Sequence, residues 1–444
     1  MLKKNKVNIN NLNNNVNVNN NELKSRIFFV IFAIVIFRIG SLITVPGINI
    51  EILSEIIHHN YGNVLNMINI FSGGAIKTAS IFSLGIMPYI SASIIVQCLT
   101  LVNRRFKNIK KSGEEGKKKI NRYIKYLSFI ISVIQSVCIS FSLPKIYIFK
   151  DLVMNPGMRF YILCSLSLVT GTMFLIWLGE LITKYGIGNG VSLIIFLGII
   201  SGIPNSIVSI IKKVKLGNIN YSTFALLIFF VFSVIFFVTF IERSFYKINV
   251  QYANINQIKK ISVSRNSYLP LKVNIVGVIP AIFASSIVLL PYTIISWLVN
   301  FYSNNFLIVL LKCLHPNSFF HTFSYIFLII FFCFFYTNLT FNSTDTSENL
   351  KKSGAFISGI RPGNHTAKYI KTIVTKLTFI GSLYISFVCM IPEFVSHFWS
   401  SSFYFGGTSL LIVVVVIIDC ISQIQNIVVS NMYYKNLHRS NRRF

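Results

Sequence analysis

Residues capable of covalent, acid–base or metal chemistry are few in this chain and badly spaced for it. The seven cysteines show no CxxC pair, and Cys98, Cys138, Cys164, Cys333, Cys389 and Cys420 sit inside apolar runs, where a thiol packs as a small hydrophobe. His58 and His59 adjoin in an expected external loop and the other histidines are scattered, so neither a metal site nor a cofactor is expected. HExxH, GxSxG, paired aspartates and a phosphate-binding P-loop are all missing from the sequence. The chain is therefore not expected to be an enzyme, and any work it does must be driven by a partner. The chemistry left to it is exclusion and passage. Long apolar runs carry occasional small polar residues, such as Ser91, Ser93 and Gln97, of the kind that line a protein-enclosed path.

Those runs decide the class. Hydrophobic residues make up 53% of the 444 and charged ones only 12%, with a mean hydropathy of +0.65, values that a soluble domain of this length does not show. The sequence predicts an all-α polytopic membrane protein with ten transmembrane helices. The spans read as Ile27–Ile43, Ile76–Val102, Tyr123–Leu143, Phe160–Leu178, Ile187 to about Val208, Phe224–Ile241, Val273 to about Leu298, Phe319–Leu339, about Ile373–Pro392 and Phe403–Ile421. Arg38 is a costly charge within the first span, needing a partner, a water-filled neighbour or reach to the nearer surface, and Asp419 lies near the cytoplasmic end of the last.

Ten spans put both termini on one side. Of the 41 lysines and arginines, 32 fall in tails and loops on that side, which assigns it to the cytoplasm. An odd number of spans in each half means that the two five-helix halves, if they are repeats, are inverted relative to one another. Residues 1–22 read as a disordered cytoplasmic tail, 23–211 as the N-terminal half, 212–422 as the C-terminal half and 423–444 as a cytoplasmic tail. The loop Asn103–Lys125 reads as a solvated basic determinant of topology. Loops 242–272 and 342–376 differ, because their apolar residues, glycines and β-like runs (INVQYA, KKISVS) suit ordered basic fingers that meet a partner.

The stretch Gly62–Val102 is unlike a lipid-facing element. A helical-looking segment from Asn63 to Phe71, too short to span, stops at Gly73-Gly74, and the following run is broken by Pro88. Such a stretch reads as a re-entrant plug (62–74) beside a pore-lining helix. An external loop followed by an ordinary, proline-kinked span fits its composition equally well.

FSGGA followed by SIFSLGIMPYISASIIVQ resembles the SecY family, the channel-forming subunits of bacterial and plastid protein translocases, at the plug and second span. FRIG, VPGI, GTMFLIWLGE, GIGNG, LPLKVN, GVIPAIFASS, NLKKSGAFISGIRPG and FYFGGTSLLIVVVV resemble the same family in the same order, from about Leu23 to Gln425. The resemblance implies two inverted halves around a central pore. It also implies a channel that translocates unfolded secretory polypeptides, admits signal sequences, and releases membrane segments to lipid through a lateral gate.

By position in those motifs, the resemblance places a pore ring at Ile86, Ile90, Val191, Ile195, Ile282 and Ile412, and a plug including Asn63, Met67, Phe71, Ser72, Gly73 and Gly74. A ring of branched aliphatic side chains seals by dewetting and close packing. Ile86 and Ile90, four apart, are expected on one helical face, as are Val191 and Ile195. Val191 stands where isoleucine is commoner. Gln97 and Asn274 match polar lateral-gate positions, with Ser285 and Ser286 on the same seventh span. Lys259, Lys260 and Arg361 match positions that meet the ribosome or the motor ATPase SecA, although SFYK after Arg243 is less basic than usual. SecE-like and SecG-like small subunits are the implied membrane partners, in the bacterial inner membrane rather than the thylakoid. A secondary transporter is the rival reading, and would need a compact midplane polar site.

Overall fold

The computed structural model describes residues 9–49, 79–144, 153, 157–217, 220–252, 267–301, 305–314, 318–398 and 407–440. The expected plug, 62–74, and Lys259 and Lys260 lie outside them. In chain order the elements are α1 (Ile9–Leu42), α2 (Met87–Val102), α3 (Arg104–Lys111), α4 (Glu114–Ser142), α5 (Met158–Tyr185), α6 (Gly190–Lys215) and α7 (Tyr221–Glu242). There follow β1 (Phe245–Tyr252), β2 (Ser267–Lys272), α8 (Ile279–Phe301), α9 (Asn305–Cys313), α10 (Phe319–Thr340), α11 (Ser343–Lys352), β3 (Ala355–Ile357), α12 (Asn364–Phe398) and α13 (Gly407–Ser440).

Among the described residues, 7 helices are long and apolar enough to cross a membrane, and three shorter apolar stretches lie at Met87–Val102, Gly190–Pro204 and Ile279–Val288. Together they fall on the ten runs expected from sequence. Three boundaries differ. α1 reaches back to Ile9 through the asparagine-rich stretch expected to be disordered; no Gly or Pro interrupts residues 9–39, so a helix nucleated in the apolar run can propagate upstream. The second span does not run from Ile76 through a break at Pro88. Pro88 is instead the second residue of α2, where its missing N–H breaks no intrahelical bond. The seventh span begins at Ile279, not Val273.

α2 and α8 open with the same device. Gly85 (φ 55°) and Gly277 (φ 69°) each take the left-handed conformation, and three residues later Pro88 and Pro280 occupy the second helical position. Gly-x-x-Pro thus marks two helix starts, with Ile90 and Ile282 each two residues beyond the proline.

Contacts divide the chain into two compact units, one comprising Met1–Tyr89, Phe129–Pro204 and Val416–Phe444, the other Ile90–Ser128 and Asn205–Val415. In the first, the Phe82 ring stacks on Phe37 and Phe174, with centroids 6.0 Å away in each case. Gly40 faces that ring, and Gly171 on α5 faces the Ile81 carbonyl so closely that an added Cβ would lie 2.2 Å from its oxygen. Between α5 and α6, Thr183 Oγ1 accepts from Gly190 N and donates to Gly179 O, both at 2.9 Å, while Gly188 N donates to Gln423 Oε1 of α13 at 2.7 Å. The GIGNG motif is therefore a tight turn tied to both α5 and α13.

In the second unit the loops 242–272 and 342–376 form one sheet, in the order β2-β1-β3 with both pairings antiparallel. Ile248, Val250, Leu271, Ala355 and Ile357 turn inward onto Ile370, Val374 and Leu377 of α12, forming a small core. Pro270 sits in the edge strand β2, where a missing N–H is tolerated. The first expected β-run, INVQYA, lies largely in β1. The second, KKISVS, lies outside the described residues, and the strand that pairs with β1 is SYLPLK.

Candidate pore, gate and docking residues

Ile86 is 4% exposed and precedes α2, its carbonyl accepting from Tyr89 N at 3.0 Å. The expected common helical face for Ile86 and Ile90 is thus corrected: only Ile90 lies within the helix, because the helix begins at Met87 ahead of its proline. Val191 and Ile195 do share a face of α6, one helical turn apart. Asn189 Oδ1 accepts from Val191 N at 3.2 Å and so satisfies an orphan donor at the start of α6. Ile195, Ile282 and Ile412 are buried and Val191 is half-buried. Ile86, Val191 and Ile195 belong to the first unit, and Ile90, Ile282 and Ile412 to the second.

Of the gate positions, Gln97 is half-buried on α2, and its Oε1 has no hydrogen-bond partner among the described residues. Asn274 is buried in the turn before α8. Its Nδ2 donates to Glu242 Oε1 at 2.6 Å, and its Oδ1 accepts from Gly277 N at 3.1 Å. Ser285 and Ser286 both donate to the Ile282 carbonyl, at 2.9 and 2.8 Å, within their own helix.

Arg361 is exposed on a braced turn. Thr366 Oγ1 donates to the Arg361 carbonyl at 3.0 Å and Ser347 Oγ to the Gly363 carbonyl at 2.7 Å, while Gly359 and Gly363 supply the left-handed backbone. The outer face of the sheet is aromatic and basic, with Lys247 Nζ 4.9 Å from the centre of the Tyr268 ring. In the loop between α2 and α4, Lys110 Nζ donates to the Leu339 carbonyl at the end of α10, at 3.0 Å. Desolvation there lowers its ammonium pKa from the ordinary lysine value. Among the described residues no three His, Cys, Asp or Glu side chains come together as metal ligands.

The profile of the SecY family matches residues 80–421. The chain belongs to the SecY family. The protein translocase subunit SecY of Buchnera aphidicola subsp. Schizaphis graminum is 51% identical over 421 residues, covering 95% of this chain and 96% of that relative. A solved structure described as that of a protein conducting channel shares the fold, with a TM-score of 0.67 at 18% identity over 92% of this chain and 93% of the other. So does Sec61 in the canine ribosome-channel complex from the endoplasmic reticulum, at 0.64 and 18% over the same shares. The chain is a multi-pass membrane protein of the translocase-channel class.

Glu242 is the residue that sequence reasoning passed over. A carboxylate at the end of an apolar helix reads as solvated, yet Glu242 is only 6% exposed. The signal was present in its position: an acid three residues before one strand and an amide two residues after its antiparallel partner.

Proposed function

We propose that this chain is the central subunit of a protein-conducting channel, passing unfolded secretory polypeptides across the membrane and releasing transmembrane segments into the bilayer through a lateral gate. The observation that carries this reading is 51% identity to a SecY subunit over 95% of the chain. The two inverted halves surround the pore. Ile86, Ile90, Val191, Ile195, Ile282 and Ile412 form the dry ring, and residues 62–74 plug it. Gln97, Asn274, Ser285 and Ser286 line the gate, where polar contacts of about 0.6–2 kcal/mol bias closure yet yield to a signal sequence.

Both termini face the cytoplasm, and the membrane is the bacterial inner membrane. Arg361 on its braced turn, with Lys259 and Lys260, meets SecA or the ribosome; kinship of fold with Sec61 in a ribosome-channel complex supports the second partner. SecE-like and SecG-like subunits complete the assembly. The rival transporter reading has no support. Among the described residues, the buried carboxylate is committed to a hydrogen bond at a helix end, and not to a midplane site.

The ring is tested in planar bilayers. Ile86→Asn with Ile282→Gly, in a variant lacking Asn63–Phe71, is expected to conduct ions steadily while the parent stays closed. Ile95→Asn, on the exposed side of α2 (44%), is the matched control and should stay closed. An equal leak from the control, or none from either, would exclude this ring.

A further inference from the structure

Where the two cytoplasmic loops meet the membrane helices, one junction has an unusual composition. α7 ends in a carboxylate that is both buried and placed at the negative end of the helix dipole, two circumstances that disfavour its charge. An apolar side chain would close the same space without the desolvation cost. Glu242 Oε1 instead accepts from Asn274 Nδ2 at 2.6 Å, and Asn274 is itself 4% exposed.

The surroundings show what this pair joins. The β1–β2 ladder ends at Phe245↔Lys272, and Val273 N extends it by donating to Ser244 O at 3.2 Å. The Glu242–Asn274 pair is the next tie in that series, made by side chains where backbone pairing stops. Beyond it, Asn274 Oδ1 accepts from Gly277 N and its Nδ2 lies 3.4 Å from Gly277 O, which fixes the left-handed glycine two residues before α8. α12 backs the same segment without slack: a Cβ added at Gly381 would stand 3.3 Å from Val273 O and 3.7 Å from Asn274 Cα.

We infer that Glu242 is a positioning residue that locks the start of α8 to the cytoplasmic sheet, so that a load applied to the sheet is delivered to α8 through the Glu242–Asn274 clasp. Its role in transport rests on the channel reading above. Its mechanical role does not. Hydrogen-bonded strands move as a body, and the clasp is the link in the path that can open without unpairing a strand.

Two measurements separate the clasp from the channel reading. Spin labels at Lys247 on β1 and Ile295 on α8 report the junction directly in the full-length protein. Glu242→Ala should broaden their distance distribution at least about twofold, whereas Glu242→Gln, which keeps the acceptor, should leave it narrow. Asn274→Ala removes the other partner and should broaden it likewise, so the outcome does not hang on one variant folding. A distribution as narrow as the parent's in Glu242→Ala or Asn274→Ala overturns the inference.

The second measurement is translocation of reporters with graded signal-segment hydrophobicity. Glu242→Ala should pass the weakest segment about tenfold better than the parent, with the strongest unchanged and Glu242→Gln close to the parent. Equal losses on every reporter, unrescued by Gln, would make Glu242 a folding residue only and also overturn the proposal. A parent that translocates no reporter would remove the channel reading while leaving the spin-label result to judge the clasp.

Discussion

α2 and α8 start with the same four-residue device, but the last tie before each is of a different kind. Before α2, the chain is held by backbone: Val45 N donates to Ala79 O at 2.9 Å, Ile81 N to Ile43 O at 3.0 Å, the Phe82 ring is clamped between two others over Gly40, and Gly171 closes on the Ile81 carbonyl. Before α8, the last tie is a pair of side chains. Backbone pairing and glycine contact tolerate no displacement, because nothing in them can rotate away. A carboxylate–amide pair can break and re-form at a cost of a few kcal/mol at most. The same helix start can thus be made a fixed post or a release point by what precedes it.

The contrast can be broken first on the rigid side. Gly171→Val places its new side chain against the Ile81 carbonyl, and both partners there are main chain. We expect a loss of about 3 kcal/mol or more, read as a large fall in folded protein and thermal midpoint in detergent. A tolerated valine would mean that the α2 anchor is softer than its geometry.

On the other side, Ile248→Asp puts an unpaired charge into the small core under the sheet. We expect a similar local cost, about 3 kcal/mol, confined to the sheet: limited proteolysis should cut within 242–272 while the membrane helices stay intact. Collapse of the whole protein would show the sheet to be part of the membrane core, not an attachment to it. The smallest effects should come from Pro88→Ala and Pro280→Ala. Each proline mainly restricts the unfolded chain, so each change should cost about 0.4–1 kcal/mol and the two should be alike. A clear inequality in thermal midpoints would show that one proline does more than begin a helix.

Much of this architecture is legible in sequence because bilayer thickness imposes it. Ten apolar runs are hard to miss, and the family motifs lie on them in order. What escaped lies where one residue type serves two purposes. Pro88 inside a long apolar run looks like a kink, but at the second position of a helix it is a start, and only the Gly-x-x-Pro echo at Gly277–Pro280 distinguishes the two. The sheet was half legible: β1 alternates as a strand should, but pairing Val250 with Ile357 joins segments more than a hundred residues apart, which no local pattern encodes. Glu242 was missed because an acid at a helix end is ordinarily wet. Its hydrogen-bond partner, Asn274, lies 32 positions away, beyond the reach of any local pattern.

The contact of Lys110 with Leu339 has a consequence in time. The two residues are 229 positions apart, so the lysine is made long before the helix end it caps. At synthesis rates of about 5–20 residues per second, the interval is about 10–50 s. Through that window α3 has no carbonyl to meet, and the last turn of α10, once made, stays solvated until the two ends find one another. The contact therefore marks a late event in assembly: its formation reports that segments flanking the second and eighth spans have come together, whatever the order in which the helices between them inserted.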